Sequence, residues 1–71
     1  MDEHILHVTG MTCEHCVRAV TDELTSVSGV DTVHVELVPG GISQVAVQTA
    51  PTVTQEQLAA AIVEAGYDIA L

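Results

Sequence analysis

The 71-residue chain sets ten acidic side chains against a single cation, Arg18, for a formal charge of −9, a field that repels phosphate backbones and anionic lipid. Tyr67 is its sole aromatic residue, so there is no platform on which bases could stack, and nucleic acid is excluded as a partner. So short a chain supports one small domain, residues 1–71, with a core too small for a large buried pocket, which places its chemistry near the surface.

The chain begins Met1-Asp2-Glu3-His4, acidic where a secretory signal would be basic. Its longest apolar run, Leu58 to Val63, is too short for a signal core or a membrane span. The expectation is a protein of the reducing cytoplasm without membrane insertion. In that compartment a close cysteine pair points to metal binding or catalysis before a structural disulfide.

Ile5 to Val8 reads as a strand, with Leu6 and Val8 on one face and His7 on the other, and Gly10 breaks it. From about Glu14 to Val27 the apolar positions Cys16 or Val17, Val20, Leu24 and Val27 follow helical spacing, with Gly29 placed to stop the helix. Thr12 is the expected cap at its start. Val30 to Val38 alternates through Val33, Val35 and Leu37, Pro39-Gly40-Gly41 makes a turn, and Ile42 to Gln48 alternates again through Val45 and Val47, so the two segments form a hairpin. Thr54 and Gln57 form a capping box for a second helix, onto which Val53 can staple at Leu58. Leu58, Ala61, Ile62 and Ala65 make its inner stripe, Gly66 ends it, and Tyr67 to Ala70 closes the chain as a short strand.

The order strand, helix, strand, strand, helix, strand splits into two halves at the turn around Gly40. Two helices on one face of a four-stranded antiparallel sheet, an α+β ferredoxin-like βαββαβ sandwich, satisfy it.

Both cysteines of the chain fall in Gly10-Met11-Thr12-Cys13-Glu14-His15-Cys16, Cys13 on the loop after the first strand and Cys16 in the first helical turn. Their spacing turns both sulfurs one way, and the amide-rich helix N-terminus favours thiolate over thiol. A structural zinc site wants four ligands, usually from two such pairs, and the chain has one. Two thiolates suffice for a soft monovalent ion such as Cu(I). By itself the CxxC spacing leaves metal binding and thiol-disulfide chemistry both open.

The longer motif is more specific. Gly10 to Cys16, together with Val17, Gly29-Val30 and Ala65-Gly66-Tyr67-Asp68, resembles the heavy-metal-associated domain family, in the form taken by bacterial cytosolic copper chaperones. The resemblance runs essentially end to end and implies the same βαββαβ fold. It also implies a non-enzymatic role: binding Cu(I) and handing it to a copper-transporting P-type ATPase, with a copper-responsive regulator as a second candidate partner. Cys13 and Cys16 match the ligands, Met11 a buried residue supporting the loop, and Tyr67 a position close to the metal. The apo protein is expected to be a monomer and the exposed pair to be open to a copper-bridged dimer. Many members dock through several lysines; this chain has Arg18 alone, so its partner's docking face is expected to be basic.

The remaining candidates carry two readings each. His15 is an accessory ligand or a solvent-facing loop residue, and its place between the ligands suits contact with a partner better than contact with the ion. Met11 offers a soft sulfur, but an apolar loop residue of this kind packs. Tyr67 either closes one side of the site through its hydroxyl or is an ordinary core aromatic. His4, His7 and His34 are expected on outward strand positions. The carboxylates form a solvated face without a nucleophile among them, so acid-base catalysis has no support.

Three rivals remain. A thiol-disulfide redox protein would be longer and would carry an aromatic residue beside its pair. A mercury-binding module of the same family would also use two thiolates, though its periplasmic form would need an export signal. The third is copper storage without a partner.

Overall fold

The computed structural model describes residues 1–70; the last residue of the expected domain, Leu71, lies outside them. Six elements follow in the expected order: β1 (Asp2–Thr9), α1 (Glu14–Thr25), β2 (Val30–Glu36), β3 (Ile42–Thr49), α2 (Gln55–Glu64) and β4 (Asp68–Ile69). The strands form one antiparallel sheet in the order β2-β3-β1-β4. The sandwich expected from the sequence is therefore present, with β1 in the interior of the sheet and its C-terminal end feeding directly into the cysteine loop.

Period-2 alternation selects the covered face. Leu6 and Val8 of β1 and Val45 and Val47 of β3 are buried together with Val20 and Leu24 of α1 and Leu58, Ala61 and Ile62 of α2. Each fully buried Val, Leu or Ile contributes about 1.5–3 kcal/mol of transfer free energy. Thr32, His34, Glu36, Gln44 and Gln48 stand on the opposite, exposed face.

The α2 termini follow the expectation in detail. The Gln57 amide donates to the Thr54 hydroxyl at 3.2 Å and the Thr54 amide to the Gln57 side chain at 2.9 Å, so the box is reciprocal. Past the helix, Gly66 adopts φ +96°, its amide donates to the Val63 carbonyl at 2.9 Å, and the Tyr67 amide reaches back to the Ile62 carbonyl at 3.2 Å. This pair of bonds is a Schellman ending, and it turns the chain so that Tyr67 faces the start of α1.

Four expectations need correction. α1 stops at Thr25, four residues before Gly29. Thr25 donates to the carbonyls of Thr21 and Asp22 at 2.9 and 3.1 Å and Ser26 to that of Glu23 at 2.7 Å, satisfying the terminal acceptors early. Gly29, at φ +96° with Val53 Cγ2 only 2.6 Å from where a Cβ would stand, instead opens the way into β2. β2 in turn shifts register between Val30 and Thr32, a bulge at Asp31 that the alternation did not announce. His4 is the third difference: it shares the inward parity of Leu6 and Val8, is half-buried, and keeps a buried Nε2 without a hydrogen-bond partner. The fourth concerns Thr12, which is not the cap of α1.

Among the described residues no helix is long and apolar enough to cross a membrane.

Candidate metal centre

The cap position of α1 belongs to Cys13, in extended backbone at φ −154° and ψ 177°, and no side chain caps the helix. The Cys13 carbonyl accepts from the Cys16 amide at 3.0 Å and from Val17 at 3.3 Å, so the helix begins correctly through its backbone. The amides that a threonine cap would occupy stay available to an anion.

Freed from capping, the Thr12 hydroxyl lies 3.8 Å from Cys16 Sγ. The backbone amide of Thr12 is the largest influence on that sulfur, followed by the Tyr67 hydroxyl, the Cys13 amide and the Thr12 hydroxyl. Together they pull the Cys16 thiol from its ordinary range down to about 6. These groups favour the Cys16 thiolate over the thiol. The nearby Cys16 sulfur pushes the Tyr67 phenol up in turn, with burial and the charge of both thiolates adding to the effect.

Cys13 Sγ and Cys16 Sγ stand 3.9 Å apart, and both thiols are free. A disulfide requires about 2.05 Å. Metal–thiolate bonds of about 2.3 Å let one ion bridge sulfurs up to about 4.6 Å apart, so the observed gap accommodates a single ion without backbone movement. Cys13 is exposed and Cys16 half-buried, which leaves one side of the pair open to an approaching ligand.

The other candidates separate cleanly. Met11 is fully buried in the core, directly beneath the loop it begins. Tyr67 is half-buried and packs against the core, and it also influences the Cys16 thiol, so it shares in both readings left open for it. His15 is exposed and lines an open groove on the outer flank of α1 with Glu14, Val17, Arg18, Thr21 and Asp22, a groove that neither cysteine lines. Among the described residues no group of three or more histidine, cysteine or acidic side chains converges on one point. His7 and His34 are exposed on different strands.

Sequence reasoning missed Thr12 as a neighbour of the sulfur. The available signal was its distance of four residues from Cys16, one helical turn; the preference of threonine for caps pointed elsewhere.

The model of the heavy-metal-associated domain matches residues 5–68. The chain is 39% identical over 70 residues to a copper chaperone CopZ of Bacillus subtilis, covering 99% of each, and 40% identical over 70 residues to one of Staphylococcus aureus, covering 97% of this chain and 98% of that one. Among solved structures it is similar to a CopZ metallochaperone, with a TM-score of 0.88 at 38% identity over 97% of this chain and 100% of that one. It is also similar to a copper binding domain from HMA7, a P-type ATPase, with a TM-score of 0.86 at 31% identity over 100% of this chain and 96% of that domain.

Proposed function

The chain belongs to the heavy-metal-associated domain family, and on that premise we propose that it is a copper chaperone: it holds Cu(I) between Cys13 and Cys16 and passes it by thiolate exchange to a copper-transporting P-type ATPase. The observation that carries this reading is the under-filled site, two free sulfurs 3.9 Å apart on which, among the described residues, no histidine, further cysteine or carboxylate converges.

Softness selects the ion, because thiolates prefer Cu(I) to harder cations. Two thiolates and Cu(I) carry one net negative charge, which the uncapped amides at the start of α1 offset in part. Transfer then needs no prior departure. A partner thiolate attacks the bound ion and forms a third Cu–S bond; one of the chain's own Cu–S bonds breaks, and the freed sulfur keeps its electron pair as thiolate or takes a proton from water. Repetition at the second sulfur completes the exchange, and copper remains Cu(I) throughout. The groups that lower the Cys16 thiol favour its free thiolate and so stabilise the apo form left behind.

The resemblance to a P-type ATPase copper binding domain supports a partner that offers a matching pair on a matching fold. With a charge of −9 and Arg18 as the sole Lys or Arg, the docking face of that partner is basic. The test is copper transfer from the loaded chain to the soluble copper binding domain of the ATPase from the same cell, followed under anaerobic conditions at increasing salt. Transfer that proceeds without free copper in solution and slows as salt rises supports the reading. Transfer only through free copper removes the chaperone role, and transfer indifferent to salt removes the basic docking face.

A further inference from the structure

The cysteine loop is tied to the turn between β2 and β3. The β2–β3 turn closes through the Gly41 amide, which donates to the Val38 carbonyl at 3.0 Å, with Pro39 and Gly40 at its two central positions and Gly40 at φ +74°. A proline followed by a positive-φ glycine is the type II pattern. Compared with a type I turn, ψ of the first central residue differs by about 150°, which turns the central peptide over and reverses where its N–H points. In this chain the Gly40 N–H meets the carbonyl of Met11 at 3.2 Å. Met11 is two residues from Cys13, and its own side chain is fixed in the core.

The turn has an anchor of its own. Ser43 occupies an inward position of β3, in step with Val45 and Val47, where the pattern calls for an apolar side chain, and it is 0% exposed. Its hydroxyl accepts from the Val38 amide at 2.9 Å and lies 3.5 Å from the Val38 carbonyl, to which it donates. A buried hydroxyl costs stability unless it is bonded. Here the bonds hold the residue on which the turn closes. Gly41 is pressed against the same residue, with Val38 Cγ1 2.8 Å from where its Cβ would be.

We propose that Ser43 and the Gly40 amide are positioning groups for the metal-binding loop, acting through Val38, the type II turn and the Met11 carbonyl to fix the backbone that runs from Met11 through Thr12 to Cys13. The proposal rests on the reading of Cys13 and Cys16 as the copper ligands. Neither Ser43 nor Gly40 touches the ion; both act on the loop that does.

Two substitutions test the link from opposite ends. Ser43→Ala deletes the anchor with almost no change of volume. Gly40→Ala, made by chemical synthesis with either enantiomer of alanine, adds a methyl that meets nothing within 4 Å; the L form strains the positive φ, whereas the D form favours it. The readouts are 15N order parameters of Thr12 and Cys13 in the apo protein and Cu(I) affinity by anaerobic competition, with thermal unfolding recorded for each variant.

The expected result is that Ser43→Ala and L-Gly40→Ala lower the order parameters of Thr12 and Cys13 from about 0.85 toward about 0.6 and weaken Cu(I) binding about threefold to tenfold, while D-Gly40→Ala matches the parent chain. Order parameters and affinity unchanged in folded Ser43→Ala and L-Gly40→Ala, or losses equal in both enantiomers, would overturn it. A parent chain that does not hold Cu(I) would remove the copper reading itself, and the order parameters, measured without copper, would still decide whether turn and anchor fix the loop.

Discussion

The hydroxyl of Thr12 sits 3.8 Å from the sulfur of Cys16, one helical turn away, and leaves the N-terminus of α1 uncapped. A residue well suited to stabilise the helix is diverted to the thiol. A cap at this position would contribute about 1 kcal/mol, so fold stability is forgone where the site needs donors.

Cys16, held near 6, should be alkylated by iodoacetamide with a midpoint close to that value, whereas an unperturbed thiol titrates near 8.5. Because its folded-state value lies below the unfolded one, the unfolded chain binds the extra proton between the two. The stability of the apo protein should therefore rise as pH increases from about 6 toward about 8.5, and this contribution should vanish as pH falls below about 6. Chemical denaturation at several pH values checks the sign, and Cys16→Ser should flatten the slope.

Two hydroxyls act on Cys16 with unequal weight. Tyr67 stands above the Thr12 hydroxyl in its pull on the sulfur, so Tyr67→Phe should raise the alkylation midpoint more than Thr12→Val does. Tyr67→Phe should also speed copper loss to a chelator, measured by stopped flow. Equal or reversed effects of the two variants would contradict the assigned order.

His15 faces the outer groove of α1 and neither cysteine shares that groove. His15→Ala should leave both the Cu(I) affinity and the rate of exchange with a competing thiol unchanged. A loss in either would make the histidine part of the site.

The far helix supplies a control. Thr54→Ala removes one half of a reciprocal capping box and should cost about 0.5–2 kcal/mol, a fall in Tm on the order of 5 °C for a domain this size. Copper affinity at 25 °C should not change, because Thr54 caps the end of α2 opposite the one that leads into Tyr67. Thermal melts and the competition assay report the two quantities separately.

The elements that the sequence made legible are those whose signals are local. The capping box at Thr54 and Gln57, the Pro39-Gly40-Gly41 turn and the alternation of Val45 and Val47 each announce an element within a few residues. Signals failed where two local rules competed or where the partner was distant. Thr12 obeys the rule for caps, yet its hydroxyl goes to a sulfur one turn on. Gly29 looks like a helix stop, but the hydroxyls of Thr25 and Ser26 finish the helix first. Strict counting by twos from Leu6 would have turned His4 inward, and from Val45 it would have marked Ser43 as a buried hydroxyl in need of a partner. The link from Gly40 to Met11 joins residues far apart in the chain, and no local pattern carries it.

The central claim is that Cys13 and Cys16 form a site for Cu(I) rather than zinc. An anaerobic competition titration with Cu(I) and Zn(II), run on the parent chain and on Cys13→Ser and Cys16→Ser, tests it most directly. One equivalent of Cu(I) bound tightly, retained against excess Zn(II) and lost in either variant is the predicted result. Zinc displacing copper, or copper binding that survives the loss of one cysteine, would contradict it.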